Sequence, residues 1–139
     1  QEVFVLESPI LTTGMYERLI TRLGVGMTEI DCTFEESDAT GDGGALKDAL
    51  SRIRREAEEA VREGREHIVL TDQHQSASKI AIPMILATGA VHSHLVAQGL
   101  RTFCSITVRS SECLDTHYFA VLVGVGATCS RSSPRWASR

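Results

Sequence analysis

From Gly43 to Asp72 the chain reads GGALKDALSRIRREAEEAVREGREHIVLTD, a long amphipathic helix followed after a glycine by a short apolar run. Leu46, Ala49, Leu50, Ile53, Ala57, Ala60 and Val61 fall on one helical stripe. Arg54–Glu58, Arg55–Glu59 and Glu58–Arg62 stand at i,i+4 on the wet side. Gly64 closes the helix, and HIVLTD, 67–72, has the length and β-branched content of a buried strand. The unit then repeats. Pro83 opens a second helical period through Met84, Ile85, Ala87, Thr88, Val91, Leu95 and Val96, closed by Gly99, and TFCSITV over 102–108 is the next strand. Asp115 or Thr116 caps THYFAVLVG; that apolar run alone fits helix or buried strand, and its place after a strand selects helix. Strand, helix, strand in this order specifies parallel pairing with right-handed crossovers. The predicted fold is therefore α/β, with alternating βα units, parallel strands and a partial (β/α) barrel-like arrangement, or an open doubly wound sheet.

The flanks extend the same pattern. EVFVLESPIL is an extended start, Thr12 and Thr13 offer caps for GMYERLITRLG, and MTEIDCTF, 27–34, alternates as a strand. EESDATGDGG is a polar loop without the ligand spacing of a calcium-binding loop. GVGAT leads toward a final strand. A length of 139 residues with 42% hydrophobic content suits one domain. The chain starts at Gln1 without a methionine, which suggests processing or a piece of something longer; without a leader or a membrane-length apolar run, a cytoplasmic setting is expected. Residues 1–70 carry fifteen acidic and eight basic residues and 71–139 carry three and six, a balance that argues against nucleic acid and reads as solvated helix surface.

Sheets of this kind gather function at the C-terminal ends of their strands. Three places qualify: Asp31 to Thr33, Asp72 to His74, and Arg109 to Glu112. Asp72 suits a loop anchor better than a general base, because no glutamate, histidine or lysine stands at a readable spacing from it. His74 reads as a loop residue, and His117, in the first turn of its helix, as a packing or capping one. His92 and His94 lie two apart on a helix, roughly 200° around the axis, so one ion cannot take both. His92 follows the apolar face and His94 the rim. Cys32, Cys104, Cys113 and Cys129 contain no CxxC and read as reduced thiols, with Cys32 and Cys104 inside strands. Gly124-Val125-Gly126 lacks the third glycine of a dinucleotide fingerprint, no phosphate-loop or GxSxG motif occurs, and Ser105 stands in a strand without a neighbouring glycine.

LESPIL, EIDCTF, ALKDALSRIRREAEEAVREG, IVLTD, and above all IPMILATGAVHSHLVAQGLRT followed by LDTHYFAVLVGVGAT, resemble the central domain of the glutamate synthase large subunit. The likeness runs over roughly residues 3–128, assigning 1–128 to part of that domain, its C-terminal portion, and its wording is nearest to bacterial NADPH-dependent forms. It implies an enzyme that converts glutamine, 2-oxoglutarate and reductant into two glutamates. A glutaminase domain releases ammonia, which passes through a tunnel to an FMN-bearing barrel. The central domain links the two and walls the tunnel.

By this resemblance FMN and an iron–sulfur cluster belong elsewhere in the polypeptide. No cofactor, catalytic or metal residue is carried onto this segment, and the segment alone is expected to be inactive. Its partners are the glutaminase and FMN-binding domains and a small subunit, with no nucleic acid or membrane. His92 becomes scaffold, satisfying a buried carbonyl through one ring nitrogen. After Thr128 the pattern is lost: CSRSSPRWASR, 129–139, has neither strand alternation nor helical period, and is expected to be disordered or frameshifted. The competing reading is a stand-alone α/β binding module that takes a small anion at the loops around Asp72 and Arg109.

Overall fold

The computed structural model describes residues 5–112 and 115–132. Residues 1–4, Cys113, Leu114 and the tail beyond Ser132 lie outside them, and with them the reduced thiol expected at Cys113 and the disordered or frameshifted end expected beyond Ser132. In chain order the elements are α1 (Thr13–Leu23), β1 (Met27–Asp31), β2 (Thr33–Glu35), α2 (Gly44–Arg62), β3 (His67–Thr71), β4 (Lys79–Ala81), α3 (Met84–Ala97), β5 (Ser105–Ser110), α4 (Thr116–Gly124) and β6 (Cys129–Ser132). The main sheet has four strands in the order β1-β3-β5-β6, every pair parallel. Sequential order with α2, α3 and α4 as the crossovers is the arrangement of consecutive units in a (β/α) barrel, here as an open sheet.

Register divides the side chains between the two faces. Ile30, Ile68, Leu70, Ile106 and Val108 point to the side of α2–α4 and form the main core with Ile53 and Ala57 of α2, Val91 and Leu95 of α3, and Leu122 of α4. On the opposite face Val69 and Cys129 meet Leu11 and Tyr16, with Leu19 and Ile20 of α1 packed beside them. Residues 9–11 run along the outer edge of β6: Leu11 N donates to Ser130 O (2.9 Å) and Ser130 N to Pro9 O (2.8 Å).

Three expectations are corrected. The strand expected over 27–34 breaks at Cys32 after Asp31: the second part, β2, pairs antiparallel with β4, a short strand inside what read as the loop before Pro83. The strand expected over 102–108 begins at Ser105, because Arg101–Phe103 form a 3-10 turn between the end of α3 and the strand. Cys32 and Cys104 therefore flank strands instead of sitting within them, though both are buried. Finally, Cys129–Ser132, expected to belong to an irregular tail, form β6.

Candidate functional site

Asp72 directly follows β3 and is fully buried. Its carboxylate accepts from the Ser111 amide (2.9 and 3.0 Å to the two oxygens), the Ser111 hydroxyl (2.9 Å), the Ser110 hydroxyl (3.3 Å) and the Gln73 side-chain amide (2.9 Å). It ties the loop after β3 to the loop after β5, which is the anchor the sequence suggested. Glu112, the residue after Ser111, is half-buried and bridges two helices: it accepts from the Met84 amide at the start of α3 (3.3 Å) and from the Tyr118 hydroxyl on α4 (2.5 Å). Negative charge at that helix start is stabilising.

Asp31, at the end of β1, accepts from the amide (3.0 Å) and hydroxyl (2.7 Å) of Thr33 and lies 4.0 Å from the Lys79 ammonium. Arg52 reaches across from α2 to the carbonyls of Asp31 (2.9 Å) and Thr33 (2.8 Å), holding the β1–β2 break in place. These residues, with Glu35, Asp42 and Asp48, line an open groove of about 780 Å³. Asp42 is committed there too: bonds from the Gly44 amide and the Thr40 hydroxyl hold its carboxyl below the usual range. His74 pairs with Glu29 (3.0 Å) at the surface.

Arg109 and Arg131 are register partners on β5 and β6 and lie on the α1 face. Their guanidinium carbons stand 5.7 and 4.9 Å from the centre of the Tyr16 ring, cation–π distances. The Arg131 side chain donates to the Thr13 hydroxyl at the start of α1 (3.2 Å), and the Nε of each arginine is buried without a partner among the described residues. Burial first, then the neighbouring Arg109 charge, lowers the Arg131 pKa. Burial likewise raises that of Tyr16, with Arg109 opposing.

The two histidines of α3 turn to different neighbours. His94 Nε2 bonds Glu58 of α2 (2.7 Å), and this bond and that from Arg62 depress the Glu58 carboxyl. His92 accepts at Nδ1 from Arg101 Nε (3.0 Å), so its ring nitrogen receives a hydrogen bond where donation to a buried carbonyl was expected. Arg101 goes on to the carbonyls of Cys104 (2.6 Å) and Gly126 (2.9 Å) and the Thr128 hydroxyl (3.3 Å), joining the end of α3 to the loop between α4 and β6. Gly126 has φ +124°, and a Cβ there would stand 2.2 Å from His92 Cγ. The glycine of GVGAT is thus needed by the histidine of VHSHL.

Other expectations are adjusted. His117 is exposed, and Asp115 caps α4 through the Tyr118 amide (2.8 Å). Ser105 meets His67 Nδ1 at 2.7 Å, at the N-terminal edge of β5 and β3, opposite the edge where such sheets gather ligands. Burial raises the thiols of Cys104 and Cys129, and pushes Cys32 up to about 12, so none of the three is poised as a thiolate. The backbone around Gly124 and Gly126 is likewise already hydrogen-bonded. The amides of Val125, Gly126 and Ala127 already donate to Val121, Val123 and Leu122 carbonyls at the C-terminal end of α4, leaving no phosphate cradle there. Among the described residues no three histidine, cysteine or acidic side chains are placed to hold a metal ion, and no helix is long and apolar enough to cross a membrane.

The geometry is that of a parallel βα domain whose strand-end carboxylates fasten its own loops and helices. Comparison with known proteins gives that class its family. Residues 1–132 match the glutamate synthase central domain, and the chain belongs to that family. It is 55% identical over 125 residues to the large chain of NADPH glutamate synthase from Azospirillum brasilense, and 35% over 124 residues to that from Bacillus subtilis. It is also 38% identical over 126 residues to the ferredoxin-dependent chloroplastic glutamate synthase of Spinacia oleracea. These alignments cover 88%, 88% and 89% of the chain but 8% of each relative, so the chain spans about a twelfth of their length.

Proposed function

We propose that this chain is a segment of an NADPH-dependent, cytoplasmic glutamate synthase, in which it links the glutaminase and FMN-binding domains and walls the ammonia tunnel between them. FMN and the iron–sulfur cluster lie outside these residues on this reading, and a small subunit completes the enzyme. The observation that carries the scaffold role is Asp72. The best-placed carboxylate at the strand ends is fully buried and holds two loops together through donors on Gln73, Ser110 and Ser111. A group so committed supports shape. The NADPH assignment draws on the two bacterial relatives named for that donor, although ferredoxin-dependent forms are also similar.

The test uses the full-length synthase that carries this segment. Glutamate formed, NADPH oxidised and ammonia escaping to solvent are followed together with glutamine as nitrogen donor. Gly126→Ala, assayed below its unfolding temperature, should raise the share of ammonia lost to solvent while glutaminase activity persists. Unchanged coupling would remove the tunnel role. The 139-residue chain itself should leave flavin fluorescence unquenched at micromolar concentration and release no glutamate from glutamine above a blank; either signal would make it a catalytic domain.

One observation favours the small-anion module: the unpartnered Nε atoms of Arg109 and Arg131 beside the start of α1, which has no acidic residue in its first turn. Calorimetric titration of the chain with phosphate and with 2-oxoglutarate, against Arg109→Gln, decides it. Saturable binding lost in the variant supports the module, and no heat of binding leaves the scaffold.

A further inference from the structure

The three crossover helices stand side by side on one face of the sheet, yet their outer surfaces differ in kind. In α2 nine of nineteen residues are charged, and its outer side carries Arg55, Glu59 and Arg62 in solvent. In α3 and α4 there is no aspartate, glutamate, lysine or arginine. What these two helices present outward is Leu86 (43% exposed), Val96 (54%) and Val123 (40%), with Ser93, Ala97, Ala120 and Gly124 exposed as well, and Thr116 and His117 exposed in the first turn of α4. The helices are neighbours: a Cβ at Gly89 of α3 would lie 3.9 Å from Val125 Cβ, just beyond α4. Helices that face water carry a polar outer side, and helices apolar all round are covered. The contrast is internal to one layer, so it does not come from the composition of the whole chain.

We infer that the uncharged outer face shared by α3 and α4 is where this segment is buried against another part of its own polypeptide, and that the occupant is an apolar helix. The inference rests on the synthase reading above. Two features choose the occupant. About nine-tenths of each relative lies outside the aligned stretch, so covalently attached chain is abundant. The face also offers small residues between its larger ones: Ser93, Ala97, Ala120 and Gly124 let a second helix approach closely, while the absence of aspartate, glutamate, lysine and arginine gives no fixed charge for an ionic or nucleic-acid partner.

Single cysteines at Leu86, Val96 and Val123, and at Arg55 on α2 as the exposed reference, are placed in the full-length synthase and in the 139-residue chain. Labelling by a maleimide is timed in each, with the parent protein as the blank for native thiols. Leu86→Cys, Val96→Cys and Val123→Cys should label at least tenfold slower than Arg55→Cys in the synthase, and at rates comparable to it in the 139-residue chain. Equal rates in the synthase overturn the inference. Protection in the 139-residue chain together with a dimer in sedimentation also overturns it, because the occupant is then a second copy. The mass of the native polypeptide, read with an antibody to this segment, separates the two levels: a mass near 15.1 kDa refutes the synthase reading itself. A much larger mass with equal labelling refutes only the buried face.

Discussion

Replacing Gly126 by alanine tests the contact that joins the two motif segments. The new Cβ would fall 2.2 Å from His92 Cγ and 2.5 Å from both its Cβ and Nδ1. Those atoms sit at the base of the imidazole, on α3 itself, so the side chain cannot simply swing its tip away. Either the ring leaves its rotamer or the loop after α4 shifts. Forced displacement of a packed side chain costs about 1–3 kcal/mol. Holding a residue with a Cβ at φ +124° adds about 1–3 kcal/mol. If His92 moves, Nδ1 no longer accepts from Arg101 Nε at 3.0 Å, which is worth about 1 kcal/mol. These terms overlap, and the expected loss is about 3–5 kcal/mol.

Gly64→Ala separates strain from collision. Gly64 also has positive φ (+89°), but nothing lies within 4 Å of a Cβ there, so its loss should be about 1 kcal/mol. The assay is urea denaturation followed by far-ultraviolet circular dichroism, with His92→Ala and the His92→Ala/Gly126→Ala double variant completing a cycle. Removing the ring also removes the collision, so the double variant should be at least about 2 kcal/mol more stable than the sum of the single losses predicts. Gly126→Ala matching Gly64→Ala, or strict additivity in the cycle, would show that His92 and Gly126 do not constrain one another.

Ile53→Asp, at a fully buried position of α2, should cost about 3–5 kcal/mol by burying an unpaired charge, Leu50→Asp less because that side chain is half-buried, and Arg55→Ala on the wet face about 0.5 kcal/mol or less; equal denaturation midpoints would mean the face assignment is wrong. Asp72→Ala strands the buried-side donors on Ser111 and Ser110 and should cost about 2–4 kcal/mol, with faster amide exchange at Ser111; exchange unchanged at that amide would deny the anchor. Burial lowers the His67 pKa, with Glu66 opposing. The folded state therefore favours the neutral ring: its contribution is present above the unfolded histidine pKa and is lost as pH falls from there toward the lower folded value. His67→Gln should flatten the stability profile in that window near pH 6, and an unaltered slope would assign the acid dependence elsewhere.

The elements whose periodicity was strongest are also those with the firmest physical basis. The α2 stripe is legible because every third or fourth side chain enters the core while its charges stay in water, and the β3 run because its residues are buried on both faces. Asp72 was readable as an anchor from its place after β3, but its partners were not, because Ser110 and Ser111 arrive by sheet pairing across some forty residues. For His92 and His94, helical geometry settled that the rings diverge, and left open what each would meet. Arg101 follows α3 closely enough to suggest a C-terminal partner, yet its bonds to Gly126 and Thr128 depend on how α4 lies. Arg52 was the more available clue: it stands at the edge of the apolar stripe, three residues after Ala49 and beside Ile53, where a charged side chain needs a reason. Its reason is the pair of carbonyls at the β1–β2 break.

β6 shows why a strand can lack the pattern of one. Cys-Ser-Arg-Ser alternates nothing apolar, and by propensity it has little claim to extended structure. It is held instead from both sides. Residues 129–132 pair with β5 in parallel register, and on the other edge Ser130 exchanges hydrogen bonds with Pro9 and Leu11. Those backbone groups are satisfied whatever the side chains are, provided each side chain can be accommodated. Cys129 fills the small core beside Tyr16 and Val69, and Arg131 lays its guanidinium over the same tyrosine with its stem buried. What a local reading registered as loss of pattern is a strand specified by its neighbours. A proline at Ser130, which removes the amide that reaches Pro9 O, should therefore release residues 9–11 and α1 together, seen as loss of amide-exchange protection in both; protection lost in β6 alone would mean that the N-terminal stretch is held by something else.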